Sequence, residues 1–341
     1  MRYIGVDLHS NSFTACYLEE GKPEKIRTFQ LQGDEFEIFL SDLCSNDEVA
    51  VEATVNSSFF RDNILNLVKR VVIISPHQFN VIRSSVKKTD KNDARAIALF
   101  LSKDMLPEVK VKSYLHQQLL GIAQTRDQLV KTKVALINKV YGILNGHGLK
   151  IKKEQLTTLK GFDKAVAFKG FSLLERSTIK IIKTELTFLK ENIKRLEKLM
   201  IEYAKDILGY ENLLSIKGIG PMSAAIFLAN ISDIKNFEDT GKLVSYFGIT
   251  PKVYQSNDKC INGHITKRGS KLARRTLVQC TLIAKNYSPY FQAFYEKIKK
   301  QRSSGKAIIT TARKLLNIIF YTLKNDWVFE DFTNFNFTTC N

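Results

Sequence analysis

Two short apolar runs near the start of the chain each end in an acid. Tyr3-Ile4-Gly5-Val6 runs into Asp7, and Val49-Ala50-Val51 runs into Glu52. Short apolar runs of this kind read as buried strands. An ionised carboxylate cannot be buried alone, so each acid must sit where its strand leaves the core. The surrounding pattern sets the fold class. Residues 13–18 and 26–31 read as two more strands, joined by a turn at Glu20-Gly21-Lys22-Pro23. Residues 35–44 and 57–69 suit helices, and 71–76 reads as a third core strand. A hairpin meander followed by alternating helices and parallel strands predicts a three-layer α/β domain with a mixed sheet and helices on both faces.

The next stretch, 87–101, reads KKTDKNDARAIALFL. Ala94, Ala96, Ile97, Ala98, Leu99 and Leu101 favour a helix, with Asp90 and Asp93 at its start. Residues three apart share a helix face, so both carboxylates can aim at one spot. Acids are also favoured at a helix N-terminus for their own sake, so a solvated first turn fits the pair equally. With Asp7 and Glu52 added, four carboxylates meet at one sheet end. They need hard cations, and oxygen-rich sites suit Mg²⁺ or Mn²⁺. Paired ions held this way can support phosphoryl transfer.

Charge divides the chain. The net charge is +18, yet residues 1–104 hold 13 Lys/Arg against 15 Asp/Glu. The basic excess therefore lies in the remainder, most densely over 251–314, where 15 basic residues face only Asp258 and Glu296. Such asymmetry points to a polyanion, most often nucleic acid. No signal peptide and no apolar run near 18 residues is evident. The five cysteines at 16, 44, 260, 280 and 340 form no CxxC pair, which argues against zinc and suits a reducing cytoplasm.

From 115 to 144 the pattern turns helical, and a second run over 172–207 places Ile182, Leu186, Leu189, Ile193, Leu196, Met200 and Tyr203 at 4-3 spacing. That is a coiled-coil seam, and an intramolecular antiparallel hairpin and a dimerisation stalk are expected to act together along it. Ile216-Lys217-Gly218-Ile219-Gly220-Pro221 then predicts a helix-hairpin-helix-like motif in a mainly α C-terminal domain, whose glycine turn can offer backbone N–H groups to a phosphate. A polar loop around Gln255-Ser256-Asn257-Asp258-Lys259 follows. Lys267, Arg268, Lys271, Arg274 and Arg275 cluster at the start of another helix, where cations oppose the dipole and an anion would compensate. No His–Asp pair near Ser256 suggests a hydrolase triad; a serine in a basic loop could instead attack phosphorus. A last helix spans 307–323, approached through Lys299, Lys300, Arg302 and Lys306. The expected boundaries are 1–105, 106–210, 211–325 and a tail over 326–341.

Taken in order, Ile4-Gly5-Val6-Asp7, Val51-Glu52-Ala53, Lys88-Thr89-Asp90-Lys91-Asn92-Asp93-Ala94, Gly218-Ile219-Gly220-Pro221, Gly248-Ile249-Thr250-Pro251, Gln255-Ser256 and Thr266-Lys267-Arg268-Gly269 resemble the DEDD transposases of insertion sequences. That family includes the pilin-gene invertases and the bridge-RNA-guided recombinases. The resemblance runs from residue 1 to about 320. It implies a RuvC-like N-terminal domain of ribonuclease H fold with Asp7, Glu52, Asp90 and Asp93 as acidic tetrad and metal ligands. It implies Ser256 as nucleophile, forming a covalent 5′-phosphoserine link in a site shared between protomers. It further implies a coiled coil that assembles dimers and, on nucleic acid, a tetramer, with a structured bridge RNA choosing donor and target DNA, in the bacterial cytoplasm at the nucleoid. Lys217, Gly218, Gly220, Lys259, Lys267, Arg268, Lys271, Arg274 and Arg275 are the expected nucleic-acid contacts. One departure stands out: family members commonly carry glycine after the serine, and here it is Asn257, which leaves Ser270 and Tyr254 as further candidates.

The competing readings are a metal-dependent, structure-specific nuclease that uses only the acids and water, a site-specific invertase, an actin-like or sugar-kinase ATPase, and a non-catalytic nucleic-acid-binding protein. The ATPase reading lacks a second glycine-rich phosphate loop.

Overall fold

The computed structural model describes residues 1–76, 79, 89–256 and 259–332. The chain forms two compact units, Met1–Val111 and Lys112–Asn341.

In the first unit, strands β1 (Arg2–Leu8), β2 (Ser12–Glu19) and β3 (Lys25–Gln30) form the expected meander. Strands β4 (Glu48–Glu52) and β5 (Arg70–Ile74) add on in parallel, giving the sheet order β3-β2-β1-β4-β5. Helices α1 (Asp34–Asp42) and α2 (Ser57–Ile64) supply Phe36, Phe39, Phe60 and Ile64 to one sheet face, against Ile4, Val6, Phe13, Val49 and Val51. Phe13 and Phe39 meet edge-to-face at 4.8 Å. The opposite face packs Ala50, Val72 and Ile74 against Ile97 and Leu101 of α3 (Asp90–Ser102). Period-2 alternation sends Ile4 and Val6 to one side and Gly5 and Asp7 to the other. This mixed, two-faced α/β sheet is consistent with the nuclease-like fold that the resemblance implied. Helix α2 stops at Ile64 rather than at Lys69. Leu67 N–H instead closes a turn on Ile64 C=O, and Lys69 N–H bonds Asp47 C=O to start β5.

The second unit is mostly helical. Helices α4 (Tyr114–Gly146) and α6 (Leu173–Ala204) run antiparallel, since Arg126 pairs with Glu197 and His147 with Glu175. Between them lie a 3₁₀ turn (Lys153–Thr157) and α5 (Leu159–Val166). Ser172 and Glu175 form a capping box that starts α6. The expected stripe on α6 buries Ile182, Leu186, Ile193 and Met200, but Tyr203 is exposed and Ala204 takes its place. A straight helix drifts by about 20° per heptad against a 3.5-residue repeat, so the stripe shifts by one residue at its end. The two helices thus pair with each other within the chain.

Helices α7 (Tyr210–Leu214), α8 (Pro221–Ile231) and α9 (Thr240–Tyr246) lead to a two-stranded ribbon, β6 (Pro251–Ser256) and β7 (Lys259–Ile265). Then come α10 (Lys271–Tyr287), α11 (Pro289–Gln301) and α12 (Ser304–Lys324). Residues 224–231 of α8 are buried throughout, making it the centre of this core. Among the described residues, no helix is long and apolar enough to cross a membrane.

Candidate metal centre and nucleic-acid interface

The acidic site begins with Gly5. A methyl group built on Gly5 would run into the backbone of Ala94 and Ala98. Only a bare Cα here, facing two alanines four apart, lets α3 lie this close to β1. Asp7 follows two residues on, on the same sheet face. Strand β4 brings in Glu52: its register pairs Gly5 with Ala50 and Val6 with Val51, so Asp7 and Glu52 stand side by side one step beyond. On α3 the Thr89 hydroxyl caps the helix by accepting the Asn92 N–H at 3.3 Å, and Asp93 N–H bonds Thr89 C=O at 2.9 Å. This cap fixes the first turn, which carries Asp90 and Asp93. Asp7 and Asp93 are buried, Glu52 is half-buried and Asp90 is exposed.

All four acids thus gather at one end of the sheet. Burial pushes the Asp7 carboxyl up to about 6; the His9 imidazole opposes this, and the charges of Asp90, Asp93 and Glu52 add to it. A buried carboxylate that three other acids disfavour is a site waiting for positive charge. The His9 ring is the nearest nitrogen donor to it. Its Nε2 lies 3.5 Å from Asp7 Oδ2 and 3.4 Å from Asp90 Oδ2. Asp7, His9 and Asp90 form a group able to hold a metal ion, with ligand atoms within 4.8 Å of one another. Several carboxylates and one imidazole are a donor set that suits a divalent cation. Sequence reasoning missed His9 by ending the strand at Asp7. The available signal was the spacing of two, which keeps His9 on the face of Asp7.

The second unit arranges its expected residues less uniformly. Ser256 is the last residue of β6, opposite Lys259 in the register. The side chains of Ser256 and Lys259, and residues Asn257 and Asp258, lie outside the described residues. Ser270 is the N-cap of α10 and accepts the Ala273 N–H at 3.2 Å, so its hydroxyl has a structural task. Tyr254 is exposed on the ribbon. Gly218 adopts a φ of 97°, and a methyl there would meet Cys280 and Ala284 of α10. Its glycine character serves close helix packing. Gly220 is the N-cap residue before Pro221, and Lys217 pairs with Asp331 at 3.6 Å.

Lys267, Arg268 and Lys271 are exposed. Arg274 donates to Phe247 C=O at 3.2 Å and Arg268 C=O at 3.0 Å, and burial lowers its pKa from the ordinary guanidinium value. Arg275 pairs with Asp127 of α4. These two arginines are committed to holding the scaffold. At the foot of the ribbon a cleft of about 590 Å³ is lined by His264, Arg302, Ser303, Lys306, Thr310 and Arg313 among others. Arg302, Lys306 and Arg313 are exposed and form no ion pair among the described residues.

The DEDD IS110 transposase model matches residues 4–148, and the model of the Transposase IS116/IS110/IS902 family matches residues 210–296. Together they cover more than half of the chain. The transposase for insertion sequence element IS1111A of Coxiella burnetii is 25% identical over 331 residues, 95% of this chain and 90% of that protein. A probable family 20 transposase of Pseudomonas aeruginosa is 26% identical over 82% of this chain and 84% of its own length. The pilin gene-inverting protein of Moraxella lacunata is 23% identical over 96% of this chain and 97% of its own. The acids at the sheet end fall within the first matched region, and the glycine turn, ribbon and basic helix within the second: the chain belongs to the IS110/IS116 family of insertion-sequence transposases.

Proposed function

We propose that this transposase cuts and rejoins DNA with Ser256 as nucleophile, assisted by a metal ion whose ligands are Asp7, Glu52, Asp90 and Asp93, the acids of one protomer serving the serine of another. The observation that carries the reading is the convergence of four acids on one sheet end, with Asp7 held protonation-prone until a cation arrives. A divalent ion bound there, Mg²⁺ or Mn²⁺, would supply Lewis acidity for phosphoryl transfer. The chain's own residues do the rest. Asp7 and Glu52 present carboxylates from neighbouring strands, and the capped first turn of α3 fixes Asp90 and Asp93. The Ser256 hydroxyl attacks phosphorus; the Oγ–P bond forms as the P–O3′ bond breaks, and the serine proton ends on the freed 3′-oxygen. Attack by another 3′-hydroxyl reverses the exchange and rejoins DNA, with the number of phosphodiester bonds conserved.

The exposed Lys267, Arg268 and Lys271, with Lys259 and the Arg302–Lys306–Arg313 cleft, are the phosphate-contacting cations. The Lys217–Gly220 turn acts as a helix–hairpin–helix on the DNA backbone. A structured bridge RNA chooses donor and target, and the long helical hairpin supports assembly of dimers into a tetramer. The likeness to pilin gene-inverting proteins brings inversion within the same chemistry. A strand-exchange assay on the element's ends, with the flanking RNA and Mg²⁺, tests this reading. Both Asp7→Ala and Ser256→Ala should abolish exchange. Full activity of Ser256→Ala, with free 5′-phosphate ends, would instead establish a nuclease that uses the acids and water alone.

A further inference from the structure

His9 lies outside the stretches that carry the resemblance, yet its ring lies beside two of the acids. Its two separations, 3.5 Å to Asp7 and 3.4 Å to Asp90, exceed the usual N–H···O range of about 2.7–3.2 Å. They fall where two ligands of one small ion stand. At a metal–ligand distance of about 2.1 Å, adjacent octahedral ligands are about 3.0 Å apart and opposite ones about 4.2 Å. The backbone that carries the ring is pinned. His9 N–H bonds Ser12 C=O at 2.9 Å, and Asn56 Nδ2 donates to His9 C=O at 3.2 Å and Ser10 C=O at 2.9 Å. Residues 9 and 10 are thus tied to the start of α2, while alternation along the chain keeps the imidazole beside Asp7.

We propose that His9 Nε2 is a direct ligand of the divalent ion at the carboxylate centre, and that it makes this centre favour first-row transition ions over Mg²⁺. The proposal rests on the reading that these acids hold an ion. Mg²⁺ takes oxygen ligands and dehydrates reluctantly, so an imidazole adds little to its affinity. Transition ions accept nitrogen readily, with Mn²⁺ the weakest of the series. A preference seen with Mn²⁺ therefore understates the effect for the others. The imidazole must be neutral to bind, as ligand nitrogens are.

The test uses full-length protein with Mn²⁺ as a spectroscopic probe. Electron spin echo envelope modulation of bound Mn²⁺ should show coupling to a directly coordinated imidazole nitrogen. His9→Ala and His9→Gln should each lose that coupling while still binding Mn²⁺, with affinity lower by about tenfold or more. Mg²⁺ affinity should change little, so the Mn²⁺/Mg²⁺ preference collapses. The His9 side chain is half exposed, so both variants should melt like the wild type without metal. Bound Mn²⁺ with no nitrogen coupling, or coupling that survives in His9→Ala, would overturn the role of His9 and leave the acidic site standing. Absence of any saturable Mn²⁺ binding that Asp7→Asn weakens would remove the acidic site itself, and this proposal with it.

Discussion

The acidic end of the sheet and the β6–β7 ribbon carry the two halves of the proposed chemistry, and they are built in opposite ways. The acids sit on packed elements: register places Asp7 beside Glu52, and Gly5 lets α3 bring Asp93 close enough to be buried. The ribbon is a two-stranded sheet of its own, with Val253 and Tyr254 exposed; such ribbons have little stability by themselves. Function and folding are therefore coupled at the first site and separable at the second. Substituting an acid or its supports should change stability as well as activity. Substituting the ribbon should change activity alone.

The largest contrast should appear between Asp7→Asn and Ser256→Ala. Both should lower strand exchange by at least about 10²-fold, the upper end of what disturbing even a metal's outer shell costs. Only Asp7→Asn should shift the urea midpoint; Ser256→Ala should stay within about 0.5 kcal/mol of wild type. A large stability loss in Ser256→Ala would break the separation of the two regions.

Gly5→Ala comes next. Its new methyl has nowhere to go but into the backbone of α3. Overpacking of this kind costs about 1–3 kcal/mol, and it should displace Asp90 and Asp93, so divalent-ion affinity should fall in parallel. Equilibrium unfolding and ion titration check both effects.

The pH dependence follows from Asp7. Its folded pKa, about 6, lies above the ordinary aspartate value. A raised carboxyl stabilises the fold while protonated, so that contribution is complete below the ordinary value near 4 and lost as pH rises through about 6. Without divalent ions, stability of the first unit should fall over this window by at most about 3 kcal/mol. Asp7→Asn should flatten the slope and be the more stable protein at neutral pH; added divalent ion should restore the wild type. A wild type that gains stability across this window would contradict the crowding of acids around Asp7.

Two smaller effects sharpen the picture of the basic unit. Arg275→Ala breaks the pair with Asp127 and should cost about 1 kcal/mol, a modest value because the pair is partly exposed. Lys271→Ala should leave stability unchanged. Replacing Arg302, Lys306 or Arg313 by Ala should weaken DNA binding at all sequences and reduce the slope of log K against log salt by about 1 each. An unchanged slope would take that cleft out of the DNA path.

The contrast also explains what could be read from the sequence. The α/β unit was legible because strands and helices announce themselves by period, and an acid closing an apolar run can only mark a strand end. Asp7 and Asp90 accordingly meet beside His9, and Glu52 and Asp93 lie near enough for their charges to bear on Asp7. His9 was not legible, because the apolar run that marks the strand ends at Asp7. The basic cluster was legible as charge but not as geometry. Nothing in Lys271-Leu272-Ala273-Arg274-Arg275 tells which cation faces solvent, and folding commits Arg274 and Arg275 to the scaffold. The strict 4-3 spacing on α6 overstated its regularity, since Tyr203 yields to Ala204 once the helix drifts.

The central claim is that acids and serine act in one covalent strand exchange. The most direct measurement is an adduct map. Protein is mixed with Mg²⁺, a nicked suicide DNA carrying the element ends and RNA transcribed from the flanking noncoding region, and the digest is searched by mass spectrometry for a nucleotide-linked peptide. The account predicts a nucleotide on Ser256, absent in Asp7→Ala. Metal-dependent cleavage that leaves no adduct, or an adduct on Tyr254 or another side chain, would contradict it.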